Sequence, residues 1–432
     1  MAFAGIQTIA PFMIAPLLAA MPALAQEATE KDHAEQDPPA LTGSLFGLRP
    51  RLAEAGIDLT GHYVSETAWN FRGGERRAVT ETGEFGVGLR FDMQRIAGTD
   101  GVFQATVTYR HGPQLDAKAG LGTLQEVQEI YGRGQTWRLT QFWYEQRLAG
   151  GAIAIKAGRT APSEDFSAFS CTFQNLSFCG SQPGNVVTDY WYNWPVSQWG
   201  VRLRAAHRGI YAQIGVYEEN PRNLDKSFTI GRFKGATGAL IPIEFGLTRG
   251  GDGGLVGSYK VGGWISTADA PDLLFDVHRE PAVLTGRAPM QRGSARGVWL
   301  AVEQQVSGRS ARGASISGLS FFVNALAADR RTSRIDNQIV AGLFARNLLP
   351  GVAGDMLGFG IARTHVNNRF EESELLAGRS SRGAEYAFEL FYGFKPVGWL
   401  DLRPNVQWIH HPGGRRDARA VGVAGLKAVL RL

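Results

Sequence analysis

The chain has 432 residues, 55 of them glycine, with 44% hydrophobic and 10% aromatic residues. Glycine stands at nearly twice the ~7% of ordinary usage but without a G-X-Y period, which excludes collagen, and ten Trp and 24 Phe exclude a disordered chain. A mean hydropathy of −0.15, with no apolar run of ~18 residues beyond position 25, excludes a helical membrane bundle, and two Cys exclude a Cys₄ zinc site or a disulfide-stapled mini-domain.

The net charge is +5, from 37 Arg and 8 Lys against 40 acidic residues. Nucleic-acid partners call for basic runs, and here the arginines are spread singly, as at Arg90, Arg110, Arg138, Arg204, Arg363 and Arg403, which argues against such a partner.

Residues 1–25 carry no Asp, Glu, Lys or Arg and end Ala23-Leu24-Ala25. An apolar stretch closing on Ala-x-Ala reads as a secretory signal peptide cleaved after Ala25. The missing basic residues before it leave a mis-set start or an N-terminal anchor as the alternative. Residues 26–40 are acidic, poor in apolar side chains and end at Pro38-Pro39, the composition of a flexible lead-in.

Residues 41–432 form the remaining domain, and within it period-2 segments of about ten residues recur. In Glu84–Asp92, Phe85, Val87, Leu89 and Phe91 alternate with Glu84, Arg90 and Asp92. In Glu385–Lys395, Tyr386, Phe388, Leu390, Tyr392 and Phe394 alternate with a set that includes Glu385, Glu389 and Phe391. In Leu400–Trp408, apolar residues alternate with Asp401, Arg403, Asn405 and Gln407. Pro396-Val397-Gly398 reads as the tight turn between the last two.

In hydrocarbon every backbone N–H and C=O must pair within the protein, so a spanning β-structure closes into a barrel. Its strands alternate weakly, with aromatics near their ends, short turns at one rim and long loops at the other. Phe394 and Trp399 fit such an aromatic girdle, and Arg403 and Glu389 are expected to face a wet lumen. A soluble β-sandwich also alternates, but one sandwich holds roughly 100 residues and no linker divides the chain after Pro39. Sixteen antiparallel strands of ~10 residues leave about 15 residues per connection, and barrels of 16–18 strands keep an aqueous channel.

Several segments resemble the carbohydrate-selective porins, the glucose-type sugar porins of Gram-negative outer membranes. They are Leu45-Phe46-Gly47-Leu48-Arg49 with Leu52–Leu59, Asn70-Phe71-Arg72-Gly73-Gly74, Phe142–Gln146, Ala157-Gly158-Arg159, Trp199–Arg202, Gly215–Pro221, Gly342-Leu343-Phe344, Asp355–Gly360, and Gln407-Trp408-Ile409 with Pro412-Gly413-Gly414. Each is short, and their order holds across the chain from Leu41 to Leu432. One departure is the C-terminal Leu432, where such barrels usually end in an aromatic residue read by the barrel assembly machinery. The resemblance implies a 16-stranded barrel in outer-membrane lipid that passes small neutral sugars such as glucose by diffusion, with no cofactor and no covalent chemistry. Monomer and homotrimer are both open.

A pore for sugars needs hydrogen-bond donors, acceptors and aromatic faces at a narrow point, and paired charges of both signs supply strong hydrogen bonds without a large net field. Arg suits this role through its planar fork of donors, although GC-rich codon usage explains the Arg excess equally well. By parity, Arg90, Asp92, Glu145, Arg202 and Arg204 are pore-wall candidates, as are Gln104, Thr106, Thr108 and Arg110 on one strand.

The resemblance implies that long loops between early strands narrow the channel around an Arg, an acid and a Trp. His111–Arg133, with Glu126 and Glu129, and Pro162–Trp199, with Asp165 and Tyr190-Trp191-Tyr192-Asn193-Trp194, are long enough. Arg110, Glu129 and Trp194 are the constriction candidates. Loop packing or a girdle is the competing account of the aromatic cluster. Cys171 and Cys179, eight apart in the second loop, are expected to bond in an oxidising compartment, against the alternative of two buried thiols.

Enzyme signals are thin. His410-His411 make a poor metal chelate, and no HExxH, GxSxG or P-loop occurs. The competing functions are a general or anion-favouring pore, a barrel lipase or protease, and a secreted lectin.

Overall fold

The computed structural model describes residues 40–432 apart from 252 and 353. Sixteen antiparallel strands close into one barrel, in the order β1 (Ile57–Arg72), β2 (Val79–Asp92), β3 (Gly101–His111), β4 (Trp137–Leu148), β5 (Ile153–Thr160), β6 (Gln198–His207), β7 (Ile210–Glu219), β8 (Gly238–Arg249), β9 (Gly257–Ser266), β12 (Ala295–Gln305), β15 (Gly318–Ala328), β16 (Ile335–Arg346), β17 (Met356–Val366), β18 (Ala384–Val397), β19 (Leu400–His410) and β20 (Val421–Arg431). β20 pairs with β1, so no edge is left open. Two small hairpins, β10 (Ala270–Asp276) with β11 (Pro289–Arg292) and β13 (Ser310–Ala311) with β14 (Ala314–Ser315), lie in the connections between barrel strands. No helix among the described residues is long and apolar enough to cross a membrane.

The two rims differ. At one, residues 112–136, 161–197, 220–237, 267–294 and 367–383 make long connections; at the other, residues 149–152, 208–209 and 398–399 suffice. The turn between β6 and β7 is Arg208-Gly209, with φ of 51° and 81°, the doubly positive pair that a two-residue hairpin requires. The turn between β18 and β19 falls on Gly398-Trp399 rather than on Pro396-Val397-Gly398, because β18 continues to Val397. At this same rim Arg49 clasps the chain to itself. Its guanidinium donates to the Leu59 carbonyl (2.6 Å) and to that of Leu432.

The outward faces carry an apolar belt. Val201, Ile214, Phe245, Val261, Val298, Ile339, Leu390 and Val406 are all exposed large hydrophobics. On β18 the outward set is Tyr386, Phe388, Leu390 and Tyr392, while Glu385, Ala387, Glu389 and Phe391 are buried. A sandwich would bury the first set; here it is the belt that hydrocarbon would cover.

The inward faces depart from the expectation of a wet, polar lumen. From β9 round to β18 they carry Trp264, Trp299, Phe322, Phe344 and Phe391, all buried. The loop of residues 161–197 folds into the barrel and packs Phe173, Phe178 and Trp191 on them. Phe173 lies 5.0 Å from Phe391 between ring centroids, and Trp191 lies 5.7 and 5.6 Å from Trp264 and Trp299. Glu389 therefore does not face water. It is 1% exposed and accepts the backbone N–H groups of Gln174 (2.8 Å) and Asn175 (2.7 Å). Arg403 is half-buried, pairs with Asp401 (2.8 Å) and donates to the Thr172 carbonyl (3.0 Å).

Other wall groups hold the loops in the same way. Glu385 accepts from Leu124 N and Gly413 N, Glu244 from Ser167 N, and Gln407 donates to Val127 O. A loop taken out of water needs such partners, because each buried N–H left unpaired costs ~1–3 kcal/mol.

The cysteines are joined as expected, Cys171 to Cys179, within this loop. The leader read at residues 1–25 and nearly all of the acidic segment 26–40 lie outside the described residues.

Replacing Glu389 with Ala orphans two buried N–H groups at ~1–3 kcal/mol each. Glu389→Ala should lower the temperature at which the folded band is lost on unboiled gels and raise unitary conductance in planar bilayers, as the loop loosens. Unchanged values for both would show that the loop is held elsewhere.

Candidate functional site

The closest clusters of charged residues lie on the wall formed by β1 to β6. Register places Glu84 on β2 directly across from Arg110 on β3. Their side chains, 5% and 4% exposed, pair at 2.6 Å. Trp194, from the loop, donates its indole N–H to the other oxygen of the same carboxylate (2.9 Å), and His62 on β1 approaches it at 3.1 Å. Arg110 also donates to the Gly132 carbonyl (2.7 Å) of the loop 112–136. Arg110 and Trp194 thus converge, and the acid between them is Glu84.

Glu129, the acid expected there, is elsewhere. It pairs with Lys427 on β20 (2.8 Å), which also holds Glu66 of β1 (3.0 Å) and the Phe173 carbonyl (2.9 Å). That cluster pins both loops to the seam where the barrel closes. Glu129 also lies within 4.8 Å of both cysteine sulfurs, which are consumed by their own bond.

A second charged group lies further along this wall. Lys156 on β5 pairs with Asp165 (3.0 Å) and approaches Glu164 (3.5 Å); Arg202 on β6 pairs with Asp165 (3.0 Å) and with Glu145 on β4. Lys156 also sits 4.4 Å over the Trp143 ring. Burial alone would raise the Asp165 pKa, but Lys156 and Arg202 outweigh it and hold the carboxyl below its ordinary range. Glu126, in the first loop, lacks such close partners. Burial pushes it up to about 7 against the pull of Arg110 and Arg133.

The remaining wall candidates divide. Arg204 lies 3.9 Å over the Tyr211 ring, next along β6 from Arg202 on the same face. Arg90 sits in register between Asp58 of β1 and Gln104 of β3. Asp92 ends β2 and caps the short helix Met93–Ala97, accepting from Gln94 N (3.0 Å) and Arg95 N (3.4 Å). It belongs to the short-turn rim rather than to either charged group.

A β-bulge in β4 decides which of its residues reach the lumen. Thr106 pairs with Gln141 and Val107 with Leu139, so Thr140 is extra. Arg138 and Thr140 point inward before the bulge; Gln141, Trp143 and Glu145 do so after it, by their contacts with Thr106, Lys156 and Arg202. A bulge re-aims side chains in this way, and no composition signal marks it.

Three other arginines bind loop carbonyls. Arg133 donates to Gly184 O (2.9 Å) and Thr188 O (3.0 Å), Arg138 to Asn223 O (3.1 Å) and Leu224 O (3.1 Å), and Arg159 to Ser197 O (2.6 Å). Of the aromatic cluster, Trp191 and Tyr192 are fully buried, as loop packing would have them, and only Trp194 reaches the Glu84 carboxylate. Glu84 itself was within reach of sequence reading, being on the inward parity of the strand that holds Arg90. Only strand register sets it against Arg110.

Residues 76–431 match the model of the carbohydrate-selective porin, OprB family. Porin B of Pseudomonas aeruginosa is 39% identical over 415 residues, covering 90% of each chain. The structure of Pseudomonas putida OprB at high pH superposes with a TM-score of 0.86 at 35% identity, covering 92% of this chain and 99% of that one. Salmonella typhi OmpF, 10% identical with a TM-score of 0.52, shares the fold alone. The chain belongs to the carbohydrate-selective porin, OprB family, and is a sugar-selective channel of the Gram-negative outer membrane.

Proposed function

We propose that sugars pass along the β1–β6 wall, and that the Arg110–Glu84–Trp194 group and the Lys156–Asp165–Arg202–Glu145 group are the narrow points they bind. The observation that carries this reading is the close pairing of opposite charges at both groups, beside an indole and away from the apolar inner wall. A sugar presents hydroxyls that both donate and accept. Contact ion pairs offer charge-assisted partners of both kinds, while their opposed charges leave little net field for an ion.

The leader, if removed after Ala25, delivers the chain to the periplasm, and the barrel assembly machinery then inserts it. The apolar belt meets outer-membrane lipid. Arg90 and Arg204 extend the polar wall beyond the two narrow points.

In planar bilayers, glucose at millimolar concentration should reduce the single-channel current, with weak ion selectivity. No block together with clear anion selectivity would instead describe a general anion-favouring pore. Trp194→Phe removes one donor at the first narrow point, and should weaken glucose block about three- to ten-fold, the equivalent of one hydrogen bond, without moving the gel transition. Glu84→Gln leaves Arg110 without its counter-charge, so the reversal potential in a salt gradient should move toward anion selectivity. An unchanged reversal potential would place this pair off the conduction path.

A further inference from the structure

We propose that the lumen holds a separate subsite for a single sugar ring, in a pocket of about 260 Å³ between loop residues 168–170 and strands β9, β12 and β15. This rests on the sugar-channel reading and assigns a place that neither charged group includes. Phe169, Ser170, Ser258, Lys260, Glu303 and Asn324 line it.

Asn324 is the central observation. Its side chain is 4% exposed, and its Oδ1 is buried without a hydrogen-bond partner among the described residues. Buried amides are ordinarily satisfied, and here a side chain that lines the pocket carries an unpartnered acceptor just beneath its surface. Glu303, on the same pocket, faces the cations Lys260 and Arg346. Lys260 donates to the Ala168 carbonyl (2.7 Å), which fixes the loop at the pocket mouth and uses one of its three donors. The Ser170 and Ser258 hydroxyls both donate and accept.

Phe169 completes the set. Its ring is held 4.9 Å from Phe322 between centroids and lines one side of the pocket, a flat apolar surface for the C–H face of a sugar. A space of about 260 Å³ accommodates one six-carbon ring. Mixed donors and acceptors beside one aromatic face suit a neutral polyhydroxyl solute. A simple anion would meet Glu303, and a cation would meet Lys260.

The test is glucose block of the full-length channel in planar bilayers, comparing wild type with Asn324→Leu and Ser258→Ala. Asn324→Leu should weaken the block about three- to ten-fold, the equivalent of one hydrogen bond, and Ser258→Ala should weaken it in the same direction by less. Salt conductance and the heat-induced gel shift should stay at wild-type values. If Asn324→Leu fails to give the heat-modifiable band, Ser258→Ala decides alone. Wild-type block in the folded variants overturns the subsite and leaves the sugar channel standing. Absence of block in the wild type overturns the sugar reading, and the subsite with it.

Discussion

Hydrocarbon offers a peptide group no hydrogen-bond partner, so a chain that crosses it with strands must pair every one of them to a neighbour. Closure of β20 on β1 meets that demand and thereby sets the face of each side chain. With register fixed all round, Glu84 must meet Arg110, and Lys427 on β20 comes against Glu66 of β1, its partner in the seam register. A one-residue slip would turn the belt inward and the charges into lipid. The polar site is thus a consequence of backbone pairing, and its precision comes from the ladder rather than from the charged groups themselves.

The barrel also has a second solvent to manage. Loops 112–136 and 161–197 drawn inside take their own backbone out of water, and the wall answers with carboxylates that accept from them. Glu244 and Glu389 take backbone N–H groups of the second loop, and Glu385 those of the first. Phe322, Phe344, Phe391, Trp264 and Trp299 add apolar contact at about 25 cal/mol per Å² buried. The lumen is consequently lopsided, with its large aromatic side chains from β9 to β18 and its close ion pairs from β1 to β6. A channel filled on one side in this manner narrows without any change in strand number.

Period-2 alternation carries the barrel and its outward belt, since Phe388, Leu390 and Val406 obey the parity that lipid imposes, whereas the count of sixteen strands comes from chain length and the family resemblance. Parity also brought Arg110, Glu145 and Arg202 to the inside. It failed where parity carries no information. The inward face of Glu385–Lys395 reads as polar at Glu385 and Glu389, and yet loop 112–136 covers the first acid and loop 161–197 covers the second and Phe391. Glu129 does not join Arg110 and Trp194: a loop residue has no register, and its partner Lys427 lies 298 residues away. The extra residue at Thr140 shifted the phase of β4 for a reason that lies in strand pairing alone.

The fate of the arginines bears on selectivity. An excess of 37 Arg over 8 Lys invites a reading as an anion filter, but position decides what a charge can do. Arg133, Arg138 and Arg159 spend their guanidinium donors on loop carbonyls, where the planar fork holds several acceptors at once as an ammonium cannot. Arg110 and Arg202 stand on the charged wall, and each is matched by carboxylates at contact distance. The field an anion would meet there is that of close pairs, which falls off faster than that of a lone charge. What persists at short range is directional hydrogen bonding, and a solute covered in hydroxyls benefits from it more than a hydrated ion does.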